Sequence, residues 1–153
     1  MVYAAGDKAA VGPLLYTVID TEVAPQLGDD PNNLRTPQDR FFLIKVSVTN
    51  SSSSDQPIPA MTLVDDEGHN YTELADGTGV TNWLGVVRKV GPTQTEQGVV
   101  AFDAPSKHYH LRLNDPLDER EISIDVPLSF VHERLKTVDT NPSPAPDLSI
   151  PKR

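Results

Sequence analysis

Four histidines and several acidic runs are the side chains in this 153-residue chain whose types and spacing suggest chemistry. His108 and His110 lie two apart in residues 108–114, a stretch that alternates polar and apolar. Both imidazoles therefore project from one face of a predicted strand. Imidazoles at that spacing can hold zinc or copper when a third ligand completes the set, here His69 or a nearby carboxylate. The sequence places no third ligand. The plainer reading, two polar residues on a solvated sheet face, therefore stands first, and no cofactor is expected. Asp65-Asp66-Glu67 and Asp29-Asp30 offer the oxygen atoms that calcium takes. A calcium loop of the EF-hand type needs ligands at alternate positions, a glycine and a distant glutamate, and residues 65–70 lack that spacing. An acidic hairpin tip and an acidic loop are the preferred readings.

Catalytic constellations are missing. With no cysteine there is no thiolate nucleophile, thiolate metal site or disulfide, and no Gly-x-Ser-x-Gly elbow occurs. Glu73 and Asp76 are close in sequence, but a glycosidase needs two carboxylates across a cleft. Gly77-Thr78-Gly79 lacks the further glycine and lysine of a phosphate loop. The expectation is a protein that is not an enzyme. Trp83, between Asn82 and Leu84 in a glycine-bearing loop, is the best single partner-binding candidate, because a loop tryptophan can anchor an interface. The competing and preferred role for Trp83 is folding back to cap the core.

The balance of 22 acidic against 13 basic residues, a net charge of −9, argues against nucleic acid and against docking on anionic lipid. No apolar run approaches the roughly 20 residues that span a bilayer. Residues 1–12 lack the basic start and apolar middle of a signal peptide. If the natural protein is exported, its leader or anchor is expected outside this stretch.

The elements that must position these residues read as short strands. Residues 14–23 are rich in β-branched side chains and end before Pro25. Residues 25–40 form a long polar loop with three prolines, a candidate functional segment. In residues 41–50 Phe42, Ile44, Val46 and Val48 share one face. Phe41 and Leu43 make the other face locally apolar and call for a covering loop. Residues 51–56 are a polar turn, and 58–64 with 69–74 form a hairpin in which Gly68 takes positive φ. Residues 75–91 are a second candidate loop. Residues 95–103 form a strand stopped by Pro105, with Val100 and Phe102 inward and Gly98 on the same face allowing close packing. In residues 108–114 Tyr109, Leu111 and Leu113 face inward. In residues 119–128 Ile122, Ile124 and Val126 do so, leaving Glu121, Ser123 and Asp125 outside. Residues 129–140 fit an extra strand or a short helix. This is an all-β pattern, an immunoglobulin-like antiparallel β-sandwich of about seven strands. It divides into an N-terminal arm (1–13), the sandwich (14–138) and a Pro-rich tail (139–153) expected to be disordered.

The order of motifs resembles one family. Val48-Thr49-Asn50-Ser51 ends a strand in Asn before a Ser-rich turn. Asp65, Gly68 and Tyr71 make an Asp-x-x-Gly turn followed by an aromatic. Phe102, Asp103 and Pro105 end a later strand as Phe-Asp-x-Pro. Over about residues 4–128 the chain resembles the telokin-like, immunoprotective-antigen-type Ig-like domains of bacterial secreted proteins and lipoproteins, a family of unknown function. The resemblance implies an Ig-like sandwich, export and an anchor, and it implies no catalytic residues. This chain departs from the pattern in lacking a lipobox cysteine and in its proline-rich loop 25–40. Taken together, the sequence predicts a non-catalytic, exported or cell-surface binding module, monomeric or weakly dimeric. Its expected partner is a protein, peptide or cell-wall component. The alternative is an envelope metal-binding protein using His108 and His110.

Overall fold

Along β4 (Phe41–Asn50) the side chains of Phe42, Ile44, Val46 and Val48 are fully buried while Lys45 is exposed, as the two-residue period of a strand requires. The computed structural model describes residues 2–28, 32, 34–127 and 131–133. Among these residues there are twelve strands and no helix. The others are β1 (Val2–Tyr3), β2 (Ala9–Val11), β3 (Leu14–Ala24), β5 (Gln56–Pro57), β6 (Thr62–Asp65), β7 (Asn70–Thr72), β8 (Lys89–Val90), β9 (Thr95–Asp103), β10 (Tyr109–Asn114), β11 (Glu121–Val126) and β12 (Val131–Glu133). One sheet has the order β1-β11-β10-β6-β7, and the other β12-β3-β4-β9 with β2 also on β3. A small third sheet pairs β5 with β8. The long pairings are antiparallel; β1 on β11 and β12 on β3 are parallel.

The core lies between the two large sheets. Phe42, Ile44, Val100 and Phe102 meet Leu63, Tyr109, Leu111, Leu113 and Ile124 in one cluster. Tyr109 packs edge-to-face on Phe42 (5.2 Å) and Tyr71 (5.7 Å). Its hydroxyl donates to the Pro105 carbonyl four residues upstream (2.6 Å), a contact of the tyrosine-corner kind seen in Ig-like sandwiches. Asn50 closes the end of β4: its Nδ2 donates to the Ser54 and Val90 carbonyls, and its Oδ1 accepts from the Ser52 amide. Gly68 has φ +88°, as its turn demands.

All seven expected strands contain a strand, and the differences have local causes. Residues 1–13, expected to be an arm, supply β1 and β2. Ala9 and Val11 alternate into the core, and that short pattern escapes a reading weighted to longer runs. Strand 58–64 begins only at Thr62, because Ile58, Pro59 and Met61 bond to Arg88 and Glu73 instead of a ladder. In β3 the register steps from Val18↔Val46 to Asp20↔Lys45. Ile19 is left in a bulge and Thr21 rather than an even-numbered residue turns inward. Residues 129–140 include β12, and the tail expected at 139–153 lies outside the described residues.

The outer face of β4 is covered as its composition requires. Phe41 and Leu43 form a second buried cluster with Ala24, Leu27 and Ala101, packed by Leu74, Val80 and Val99. The cover therefore comes from both long loops. Gly79 sits so close to Leu27 and Gly28 that a Cβ there would lie 3.1 Å from each. Arg35 Nη1 donates to the carbonyls of Asp76 (2.9 Å) and Thr78 (2.6 Å), tying loop to loop.

Candidate functional site

The histidine pair acquires a carboxylate through strand pairing. β10 pairs with β11 so that His110 stands opposite Asp125, and with β6 so that His110 stands opposite Val64. The intervening Tyr109, Leu111 and Leu113 are buried, which fixes His108, just before β10, and His110 on the outer face. His108 Nε2 makes a short contact with Asp125 Oδ1, and His110 Nε2 lies 3.6 Å from the same oxygen. The other nitrogen of His108, Nδ1, meets Asp66 Oδ1 at 2.9 Å. His108, His110 and Asp125 each keep about one third of their side-chain surface exposed (34%, 32% and 34%), and their ligand atoms all lie within 4.8 Å of one another. Hydrogen bonds to Asp125 and then Asp66 raise the His108 pKa above its ordinary 6.5, outweighing partial desolvation. The sequence supplied the two histidines. Asp125 enters only through the β10–β11 register, and Asp66 through the β6–β10 pairing.

The other acidic cluster is built differently. Asp65 is buried, and its Oδ1 accepts from the Glu67 and His69 amides. Its Oδ2 meets His69 Nδ1 (2.9 Å) and Lys107 Nζ (3.2 Å). Burial alone would raise the Asp65 pKa. The His69 backbone and side-chain bonds, with Lys107 and the Glu67 amide, override it and hold the carboxyl far below its ordinary 3.8. This carboxylate is already engaged in holding the hairpin. Of the calcium candidates, Asp29 and Asp30 lie outside the described residues.

The Trp83 loop is locked rather than presented. Parallel bridging to β9 places the Leu84 amide on the Val99 carbonyl and the Val99 amide on the Asn82 carbonyl, both at 2.9 Å. Leu84 packs against the core over Gly98, where an added Cβ would lie 2.8 Å from Leu84 Cδ1. The Trp83 ring lies on Gly77, so tightly that a Cβ there would sit 1.9 Å from Cδ2. Trp83 thus neither caps the core nor projects into solvent. Asn82 is exposed, at φ +59°. At the loop tip Val86 is 54% and Val87 98% exposed.

Arg88 anchors that tip. It is 5% exposed, as is Glu73. Its Nε donates to the Ile58 carbonyl, Nη1 to Glu73 Oε1 and the Gly85 carbonyl, and Nη2 to Glu73 Oε2 and the Pro59 carbonyl. All five guanidinium hydrogens are used. Glu73 Oε2 also accepts from the Met61 amide (2.6 Å). Asp76 Oδ1 accepts from the hydroxyl and amide of Thr78, which lower its pKa. The two carboxylates weighed for glycosidase chemistry are thereby occupied by structural bonds.

Known proteins match this fold. The yjhA protein of Bacillus subtilis superposes with a TM-score of 0.64 at 15% identity, over 81% of this chain and 98% of its own. The secreted protein MPT63 of Mycobacterium tuberculosis gives 0.60 at 14% identity, over 82% and 97%. A putative lipoprotein, ycdA, of Bacillus subtilis gives 0.60 at 12% identity, over 80% of this chain and 38% of its own. At these identities the likeness is one of fold, an all-β sandwich. No curated protein matches the chain. Among the described residues no helix is long and apolar enough to cross a membrane. A family model matches residues 3–120, and the chain belongs to that family, described as "Domain of unknown function (DUF4352)".

Proposed function

We propose that this chain is a non-catalytic, exported or envelope-displayed binding module that offers the Val86–Val87 tip of its locked loop to a protein partner. The observation that carries this reading is the exposure of Val87, 98%, on a backbone held by the Gly85 carbonyl–Arg88 bond. An apolar tip fixed in advance loses little conformational entropy on binding. The site shifts from Trp83, Asn82 and Leu84 to their neighbours, because Trp83 and Leu84 are spent on packing. The occupied states of Glu73 and Asp76 support a role without catalysis. Export is supported by the motif resemblance and by similarity to a protein described as secreted and another described as a putative lipoprotein.

A photo-crosslinking residue at position 87 of the full-length protein in living cells tests this. The expected result is a discrete protein adduct from position 87 and none from exposed Ser53, with the protein in the envelope or medium fraction. Equal labelling from both positions, or recovery only in the cytoplasm, overturns it.

A further inference from the structure

We propose that the outer face of β6, β10 and β11 is a binding site for one divalent transition-metal ion of the Zn²⁺ class, held by His108, His110 and Asp125, with Asp66 orienting His108. The inference is independent of export and of the loop tip.

Three strands converge on the site, and their register is enforced from beneath. Tyr109, Leu111, Ile124 and Val126 are buried, so a slip that parted His110 from Asp125 would turn core residues outward. The spacing suits a metal. A tetrahedral ion with bonds of about 2.0–2.2 Å sets its ligand atoms roughly 3.4 Å apart. His110 Nε2 and Asp125 Oδ1 already stand 3.6 Å apart, too far for a hydrogen bond and close to that ligand spacing. All the candidate ligand atoms fall within 4.8 Å, so side-chain rotation without backbone movement brings in the third.

Asp66 supplies what a bare histidine pair lacks. It holds His108 Nδ1 at 2.9 Å, which keeps a proton on Nδ1, so the proton that Nε2 shares with Asp125 is the one a metal ion displaces on binding both atoms. A carboxylate behind a ligating histidine is the usual means of fixing ring orientation and raising ligand basicity. Two imidazoles with one carboxylate form a nitrogen-rich set that suits Zn²⁺ or Cu²⁺ over Ca²⁺ or Mg²⁺. The one-third exposure leaves a coordination position facing solvent. The rival cluster of Asp65, Glu67 and His69 is less suited, because it offers one imidazole rather than two and its Asp65 carboxylate is buried against two backbone amides and Lys107.

Calorimetric titration of the whole chain with Zn²⁺, and separately with Cu²⁺, decides the matter, with Co²⁺ absorption as the second readout. The expected result is one saturable site, with visible Co²⁺ bands of a four-coordinate nitrogen–oxygen centre. His110→Asn and Asp125→Asn should each weaken binding at least about tenfold and abolish those bands. Asp66→Asn should weaken it about ten- to a hundredfold, the usual effect of losing an orienting partner. His69→Asn should change nothing, nor should substitution to Asn of His132, which lies in β12 of the other sheet against Asp20. Tighter Cu²⁺ than Zn²⁺ binding is expected for any such ligand set and keeps the assignment. Metal-free variants must retain the wild-type thermal transition. Should one ligand variant fail this, the other and Asp66→Asn carry the test. Absence of saturable binding by either metal overturns the proposal. So does binding that survives both ligand variants, or that falls equally with His69→Asn.

Discussion

Arg88 pairs with Glu73, and His108 lies between Asp66 and Asp125, yet the two regions differ in how far their bonding is complete. Around Arg88 every guanidinium hydrogen has an acceptor, and both partners of the ion pair are 5% exposed. Around His108 the three candidate ligand side chains are one-third exposed and Asp66 more so, and neighbouring His110 stops 3.6 Å short of the carboxylate it faces. A closed, buried polar network fixes conformation and has no capacity left for a ligand. An open one adds little to stability, since water can replace any partner it loses, and it keeps coordination capacity.

That contrast can be broken by substitution, beginning with the largest effect. Arg88→Met leaves Glu73 charged, buried and unpaired, and takes donors from the Ile58, Pro59 and Gly85 carbonyls. Unfolding in urea should show a loss of about 3–5 kcal/mol; a loss under about 1 kcal/mol would remove the distinction between the regions. Gly77→Ala drives a methyl into the Trp83 ring and should cost about 1–3 kcal/mol. Because Trp83 is the only tryptophan, its fluorescence should shift to the red as the ring leaves Gly77.

Asp65 stands between the two extremes, being buried but bonded mainly within its own hairpin. Its folded pKa lies below the ordinary 3.8, so its stabilising contribution is complete above that value and is lost as the pH falls below it. Asp65→Asn should therefore lower the denaturation midpoint at pH 7 and flatten the acid limb of stability below about pH 4. An unchanged acid limb would place the acid sensitivity elsewhere. The smallest effect belongs to the open region. Asp125→Asn and His110→Asn should alter metal-free stability by no more than about 0.5 kcal/mol, as is usual for surface positions. A loss as large as that of Arg88→Met would mark the cluster as structural.

The two regions also differ in how much of them could be read from the chain. The faces of β4 and β10 follow from the two-residue period, and so does the need to cover Phe41 and Leu43. The bulge at Ile19 escapes, because the apolar side chains of Leu15 and Ile19 blur the shift of the inward set from even positions at Val18 to odd ones at Val23. Arg88 and Glu73 are fifteen residues apart, on opposite sides of a glycine-bearing loop, and nothing local links them. Trp83 goes unread for the opposite reason: its partner is the bare Cα surface of Gly77, and an absent side chain gives no signal.

Alternation by itself determined which face of β4 and of β10 turns to the core, since within an unbroken strand each residue's face depends only on its neighbours. Composition excluded thiol chemistry, and Asn50 and Gly68 marked a strand end and a turn. The tertiary structure decided which carboxylate meets the histidines, what anchors the apolar loop tip and which loops shield β4. Those outcomes depend on inter-strand register and on closing long stretches of chain. Both are set by the combined fit of the whole core rather than by any one segment.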